Sequence, residues 1–228
     1  MIAENLADVR ARIAAAAARA GRDPTSIQLL AVSKTKPAEA VAEAYAAGQR
    51  AFGENYAQEL ETKHAALAHL KDLDWHFVGR LQTNKAKVVA KIAKMVHAVD
   101  GERLARELGK RAEGREAPLD VLVEVNVGGE ASKGGVAPGD LAPLLSAIEA
   151  IGSLRLRGLM SIPPPTPDAE SSRRFHHLLR SIRDAHGGPA RLPELSMGMT
   201  DDLEVAIEEG ATIVRVGTAI FGARTART

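Results

Sequence analysis

The feature that most constrains this chain is an alternation that runs almost its whole length. Short strand-like runs occur at 27–32, 50–53, 75–78, 95–99, 119–127, 154–160, 194–197 and 213–216, the last running on toward Phe221. Between them lie segments of helical period at 37–47, through Gln58, Leu60 and Leu67, and at 83–93, 102–113, 140–151, 169–186 and 201–209. The short, bounded and largely apolar run 27–32 suits a strand covered on both faces of a parallel sheet, and parallel neighbours need crossover helices. Eight strands spaced by helices predict a (β/α)8 TIM-type barrel, an α/β fold. An open doubly wound sheet is the rival, but it has five or six strands and a dinucleotide fingerprint, and no G-x-G-x-x-G follows any run here. Ile2, Leu6, Val9 and Ile13 add an extra amphipathic helix over 2–20, stopped by Gly21 and Pro24. No stretch reads as a linker, so 1–228 is expected to be a single domain.

The apolar material is small and aliphatic: hydrophobic residues are 45% of the chain but aromatic ones only 3%. That suits helices packed closely on strands. With 30 basic and 29 acidic residues the net charge is +1, which offers no case for a nucleic-acid or membrane partner. There is no cysteine, so disulfides, thiolate nucleophiles and thiolate-bound metals drop out. Glu4, Asp8, Arg10 and Arg12 interrupt any secretory signal, and no apolar run approaches the ~18 residues of a membrane span. A cytoplasmic protein is expected.

In such a barrel the chemistry sits where strands end and loops to the next helix begin. The first run ends on Lys34, and Pro37 suits the first turn of the helix after it. The other strand-end positions supply Glu54, Asn55, Gly79, Arg80, Asp100, Asn126, Lys133, Ser161, the stretch 196–200, Gly217 and Thr218. The seventh run leads through Ser196, Met197, Gly198 and Met199 to a helix start whose expected cap is Thr200 or Asp201, and free N–H groups there attract phosphate. The eighth ends Arg215-Val216-Gly217-Thr218, again a glycine and a hydroxyl. Phosphate sites in barrels are often built from these last two loops. A partly desolvated strand-end lysine can lose its proton and form a Schiff base. An anion site plus such a lysine points to pyridoxal 5′-phosphate (PLP), with Arg215 a candidate for its pyridine nitrogen.

The stretches Ala31-Val32-Ser33-Lys34, Phe52-Gly53-Glu54-Asn55-Tyr56, His76 through Lys85, Gly158-Leu159-Met160-Ser161, Leu195 through Met199 and Val214 through Gly222 together resemble the YggS/PROSC family of pyridoxal phosphate homeostasis proteins. That family is similar to the barrel domain of alanine racemase. The resemblance implies a monomeric barrel carrying PLP on Lys34, without established turnover, acting in vitamin B6 and amino-acid homeostasis. It implies that Ser196, Gly198, Gly217 and Thr218 hold the phosphate, that Arg215 faces the pyridine nitrogen and that Asn55 lies near the ring. PLP-dependent apo-enzymes are the partners it suggests, and Lys36 and Lys133 look like accessory lysines.

Other readings compete. An amino-acid racemase needs a second acid–base group opposite the lysine, which the racemase resemblance places in a later domain. The chain stops six residues past Gly222, so that domain is expected to be absent. A sugar-phosphate isomerase or lyase barrel without cofactor would also use a lysine and the last two loops. Gly128 to Gly135 lacks P-loop order and reads as a lid or a connection. Lys85, Lys87, Lys91 and Lys94 read as a solvated face. His176, His177 and His186 lack metal-ligand spacing and are assigned to a helix surface, while Trp75 and His76 are expected to pack within the third strand.

Overall fold

The structure, a computed structural model, describes residues 1–129 and 134–223. Eight parallel strands close into a barrel in sequence order: β1 (Gln28–Val32), β2 (Ala51–Glu54), β3 (Asp74–Phe77), β4 (Met95–Val99), β5 (Leu119–Glu124), β6 (Leu154–Met160), β7 (Glu194–Ser196) and β8 (Ile213–Val216). β1 completes the circle by pairing with both β2 and β8, Leu30 lying opposite Arg215. Closure removes every sheet edge. The (β/α)8 expectation holds.

The helices are α1 (Ile2–Arg19), α2 (Ala38–Ala46), α3 (Ala57–Ala66), α4 (Ala86–Ile92), α5 (Glu102–Ala112), α6 (Leu141–Glu149), α7 (Ala169–Ala185), α8 (Gly188–Arg191), α9 (Leu203–Glu208) and α10 (Thr218–Phe221). Helix α1 is the expected addition before the barrel. Its apolar stripe of Leu6, Val9, Ile13, Ala16 and Ala17 is buried. The core divides in two. Leu30, Ala51, Val78, Met95, Leu122, Met160 and Ile213 pack inside the barrel, and the larger set lies between strands and helices.

Three local outcomes depart from the sequence reading. Regular pairing of β5 stops at Glu124, beyond which Val125 donates its N–H to the Met160 carbonyl (2.8 Å) and forms an isolated bridge with Val136. The eighth run does not continue as strand to Phe221, because the chain turns at Gly217 into α10. A short helix, α8, precedes β7 where none was expected. Gly158 explains a fourth irregularity. Its φ is +155°, and a Cβ there would stand 1.9 Å from the Glu194 carbonyl oxygen, so only glycine lets β6 and β7 approach where the β5–β6 register shifts.

Candidate functional site

At the carboxyl end of the barrel lies a cavity of about 270 Å³, lined from β1 by Val32, Lys34 and Lys36, from β2 and β3 by Asn55 and Val78, and from β6 by Ile162. Met199, Thr200 and Asp201 close it from the β7 loop, and Arg215, Gly217, Thr218, Phe221 and Gly222 from β8. Among the described residues lining it, three are cations and one is a carboxylate, so the mouth favours an anion.

The turn that presents Lys34 is held from below. Ser33 donates its N–H to the Gly53 carbonyl (2.9 Å) and its hydroxyl to Glu54 Oε1 (2.7 Å). Lys63, reaching in from α3, bonds Glu54 Oε1 (2.5 Å), the Ser33 carbonyl (2.7 Å) and Glu59 Oε2 (3.2 Å). Glu59 also accepts the Thr35 N–H (2.7 Å), and Thr35 is left-handed at φ +63°, a strained state for a branched residue. Burial pushes the Glu54 carboxyl up, against the pull of Lys63 and Ser33. Lys34 itself is half-buried on the cavity wall.

Arg215 stands on β8 with only 5% of its surface exposed. Its Nη1 donates to Ser196 Oγ (2.8 Å) and its Nη2 to the Ser161 carbonyl (2.8 Å), both uncharged acceptors. Desolvation pushes its pKa down to about 10, opposed by Asp202 and Glu124 acting through space, so it remains a cation at neutral pH. Burial, and next Asp100, raise the Glu124 carboxyl in turn. Behind Ser196 the polar chain continues: Oγ lies 2.9 Å from His97 Nδ1, and His97 Nε2 lies 2.9 Å from His76 Nδ1. With Ser196 accepting from Arg215, one tautomer arrangement that satisfies this chain has Ser196 donating to His97 and His97 donating onward to His76.

The β7 loop is shaped by Gly198, at φ +88°, where a Cβ would press within 2.5 Å of Ala206. Its carbonyl accepts the Arg215 N–H (2.9 Å), which joins the two loops. Asp202, rather than Thr200 or Asp201, closes the turn: Oδ1 accepts the Met199 N–H (2.7 Å) and Oδ2 pairs with His176 Nε2 (2.9 Å). Burial works to raise the Asp202 pKa, but the bonds from His176 and Met199 outweigh it and hold the group below its usual range.

The predicted residues thus divide. Lys34, Asn55, Arg215, Gly217 and Thr218 meet on one cavity, as does Lys36, whose Nζ also donates to the Ala223 carbonyl (2.7 Å). Ser196 and Gly198 stand one layer behind, Ser196 with its hydroxyl bonded to Arg215 and Gly198 inside the loop turn. Lys133 lies outside the described residues. His176 is a correction to the surface assignment. It is fully buried, because Ser172, His176, Leu179 and Arg183 share the inner face of α7. His97 escaped the sequence reading, although a histidine in the otherwise apolar run 95–99 was a signal that the strand carries a polar group inward. Asp202 was likewise passed over for its neighbours.

Comparison with known proteins covers nearly the whole chain. The family profile for the alanine racemase N-terminal domain matches residues 5–225. A pyridoxal phosphate homeostasis protein from Pseudomonas aeruginosa is 54% identical over 98% of this chain and 96% of its own length. The chain belongs to this family. Within the family, the structure of PipY from Synechococcus elongatus PCC7942, with PLP bound, is 39% identical with a TM-score of 0.85, covering 97% of this chain and all of that one. An alanine racemase from Streptomyces coelicolor, 22% identical with a TM-score of 0.69 over 95% of this chain and 58% of its own, shares the fold.

Proposed function

We propose that this chain binds PLP in the mouth of the barrel with Lys34 as covalent anchor, and stores and hands over the cofactor rather than consuming it in turnover. The observation that carries this is the meeting of Lys34 and the buried cation Arg215 on one cavity with the glycine and hydroxyl of the β8 loop. The donor set fits the group. Arg215 is desolvated yet, among the described residues, its guanidinium donates to neutral acceptors, cations outnumber carboxylates three to one in the lining, and the volume lies just below the usual range of ligand sites. PLP in the PipY structure supports the same reading.

PLP supplies an aldehyde that joins amines reversibly and a ring that withdraws electrons. Lys34 offers the amine from a turn braced by Lys63 and Glu59. Gly217 and Thr218, with Ser196 and Gly198 behind them, form the phosphate end, and Asn55 borders the ring. Arg215 serves the pyridine nitrogen. A guanidinium that keeps its proton leaves that nitrogen unprotonated, which limits carbanion chemistry and favours carriage. Residues 1–228 act as one such domain, a monomer in the cytoplasm that supports vitamin B6 balance and hands PLP to dependent apo-enzymes. Among the described residues no helix is long and apolar enough to cross a membrane.

Absorption spectra test the proposal. Purified protein is expected to be yellow with PLP, and borohydride reduction followed by peptide mapping should place the label on Lys34. Lys34→Ala is expected to lose the colour. A colourless protein that ignores added PLP, or a label mapped elsewhere, overturns it.

A further inference from the structure

A (β/α)8 barrel has no need of a helix before its first strand, yet α1 is among the longest helices here. Its buried stripe packs on α9 and α10, the two short helices that directly follow the β7 and β8 loops. At six and four residues, neither can hold its shape unaided. Two polar side chains of α1 reach past the apolar contact. Asn5 Nδ2 donates to the carbonyl of Ile220 in α10 (2.9 Å). Arg12 Nη2 donates to the carbonyl of Thr200 in the β7 loop (2.8 Å), while its Nε is anchored on Glu204 Oε1 of α9 (2.6 Å).

We propose that Asn5 and Arg12 are positioning residues that set the spacing of the two loops at the anion end of the cavity. This rests on the reading of the cavity as a PLP site. The two residues are seven apart, two helical turns, so one rigid rod spaces their grips by about 10 Å. Thr200 and Thr218 line the cavity, and the carbonyls that α1 holds belong to Thr200 itself and to the helix that begins at Thr218. Holding both loops before the ligand arrives removes an ordering cost from binding, and that saving falls on the phosphate alone. Asp202 and His176 clamp the β7 loop from the α7 side, so each α1 contact makes a partial contribution.

The test compares PLP with pyridoxal, which differ by the phosphate, in wild type, Asn5→Leu, Arg12→Met and the double variant. Each single variant is expected to raise the Kd for PLP by up to about tenfold, the worth of one hydrogen bond, with the double variant weaker still. The Kd for pyridoxal should stay unchanged. Arg12→Lys should recover part of the loss, since an ammonium still reaches the Thr200 carbonyl. Hydrogen exchange on the ligand-free proteins should be faster at residues 199–202 and 218–222 in the variants. Equal loosening of PLP and pyridoxal, or unchanged exchange at both loops, overturns the proposal. If wild type binds neither ligand while exchange still responds, the cavity reading fails and the brace stands. Should Arg12→Met not fold, Asn5→Leu and Arg12→Lys carry the same comparison.

Discussion

Arg215 is a cation in a place where a lone charge is costly, and its surroundings decide what that cost achieves. Its guanidinium donates to a serine hydroxyl and a backbone carbonyl, so the charge is solvated without being neutralised. It is thereby left to act on a ligand. Arg215→Ala is expected to weaken PLP binding about ten- to hundredfold, as for a lost charged hydrogen bond, and Ser196→Ala by less. Cofactor titration of folded variants checks this, and unchanged affinity in both contradicts the assignment. The same chain of bonds carries a pH signature. Desolvation pushes the pKa of His76 down to about 4 and that of His97 well below its ordinary value, the latter aided by His76 and Arg215. Facing His76 are also Asp74, Asp120 and Lys94, which leave burial dominant. Both rings are neutral in the fold, whereas the unfolded chain protonates them near pH 6.5. Stability is therefore full above pH 6.5 and falls as pH drops toward 4, by roughly 1.4 kcal/mol per unit for His76 alone. Urea unfolding at pH 7 and pH 5 should show the loss, and His76→Asn should flatten it. A wild-type profile without slope refutes the account.

Among the elements, the strands were the most legible. Runs 154–160 and 213–216 coincide with β6 and β8 although they carry Arg155, Arg157 and Arg215, because the apolar residues around those arginines still mark a short bounded strand without knowledge of its neighbours. Helix faces were less so. The inner face of α7 carries Ser172, His176 and Arg183 among its apolar residues, and a polar residue on a buried face looks like surface until its partner is known. For His176 that partner is Asp202, distant in sequence. The β6–β7 contact shows the converse, a single residue that a whole element depends on. Gly158→Ala is expected to destabilise the fold by at least roughly 2 kcal/mol, from positive φ and the clash with the Glu194 carbonyl. Denaturant midpoints measure this, and a variant as stable as wild type shows that β6 can shift to admit the methyl group.

At the scale of the whole molecule, one closed sheet carries the cavity, so ligand binding and global stability are linked. PLP at a hundredfold excess over its Kd is expected to stabilise the fold by about 2.7 kcal/mol, raising the Tm by about 5–10 °C for a chain of this size. Lys34→Ala should lose most of that shift, and an equal shift in both proteins contradicts a role for Lys34. What the amino-acid order determined by itself is local and periodic: eight strands, the helices between them, the added α1, and a lysine at a strand end. Tertiary structure decided which residues meet. Closure brought β8 beside β1 and so Arg215 onto the wall that carries Lys34, aimed His76 and His97 inward behind Ser196, and laid α1 across both final loops. Periodicity reports which side of an element is buried, but contacts across a barrel join residues far apart in the chain, and only closure sets those pairings.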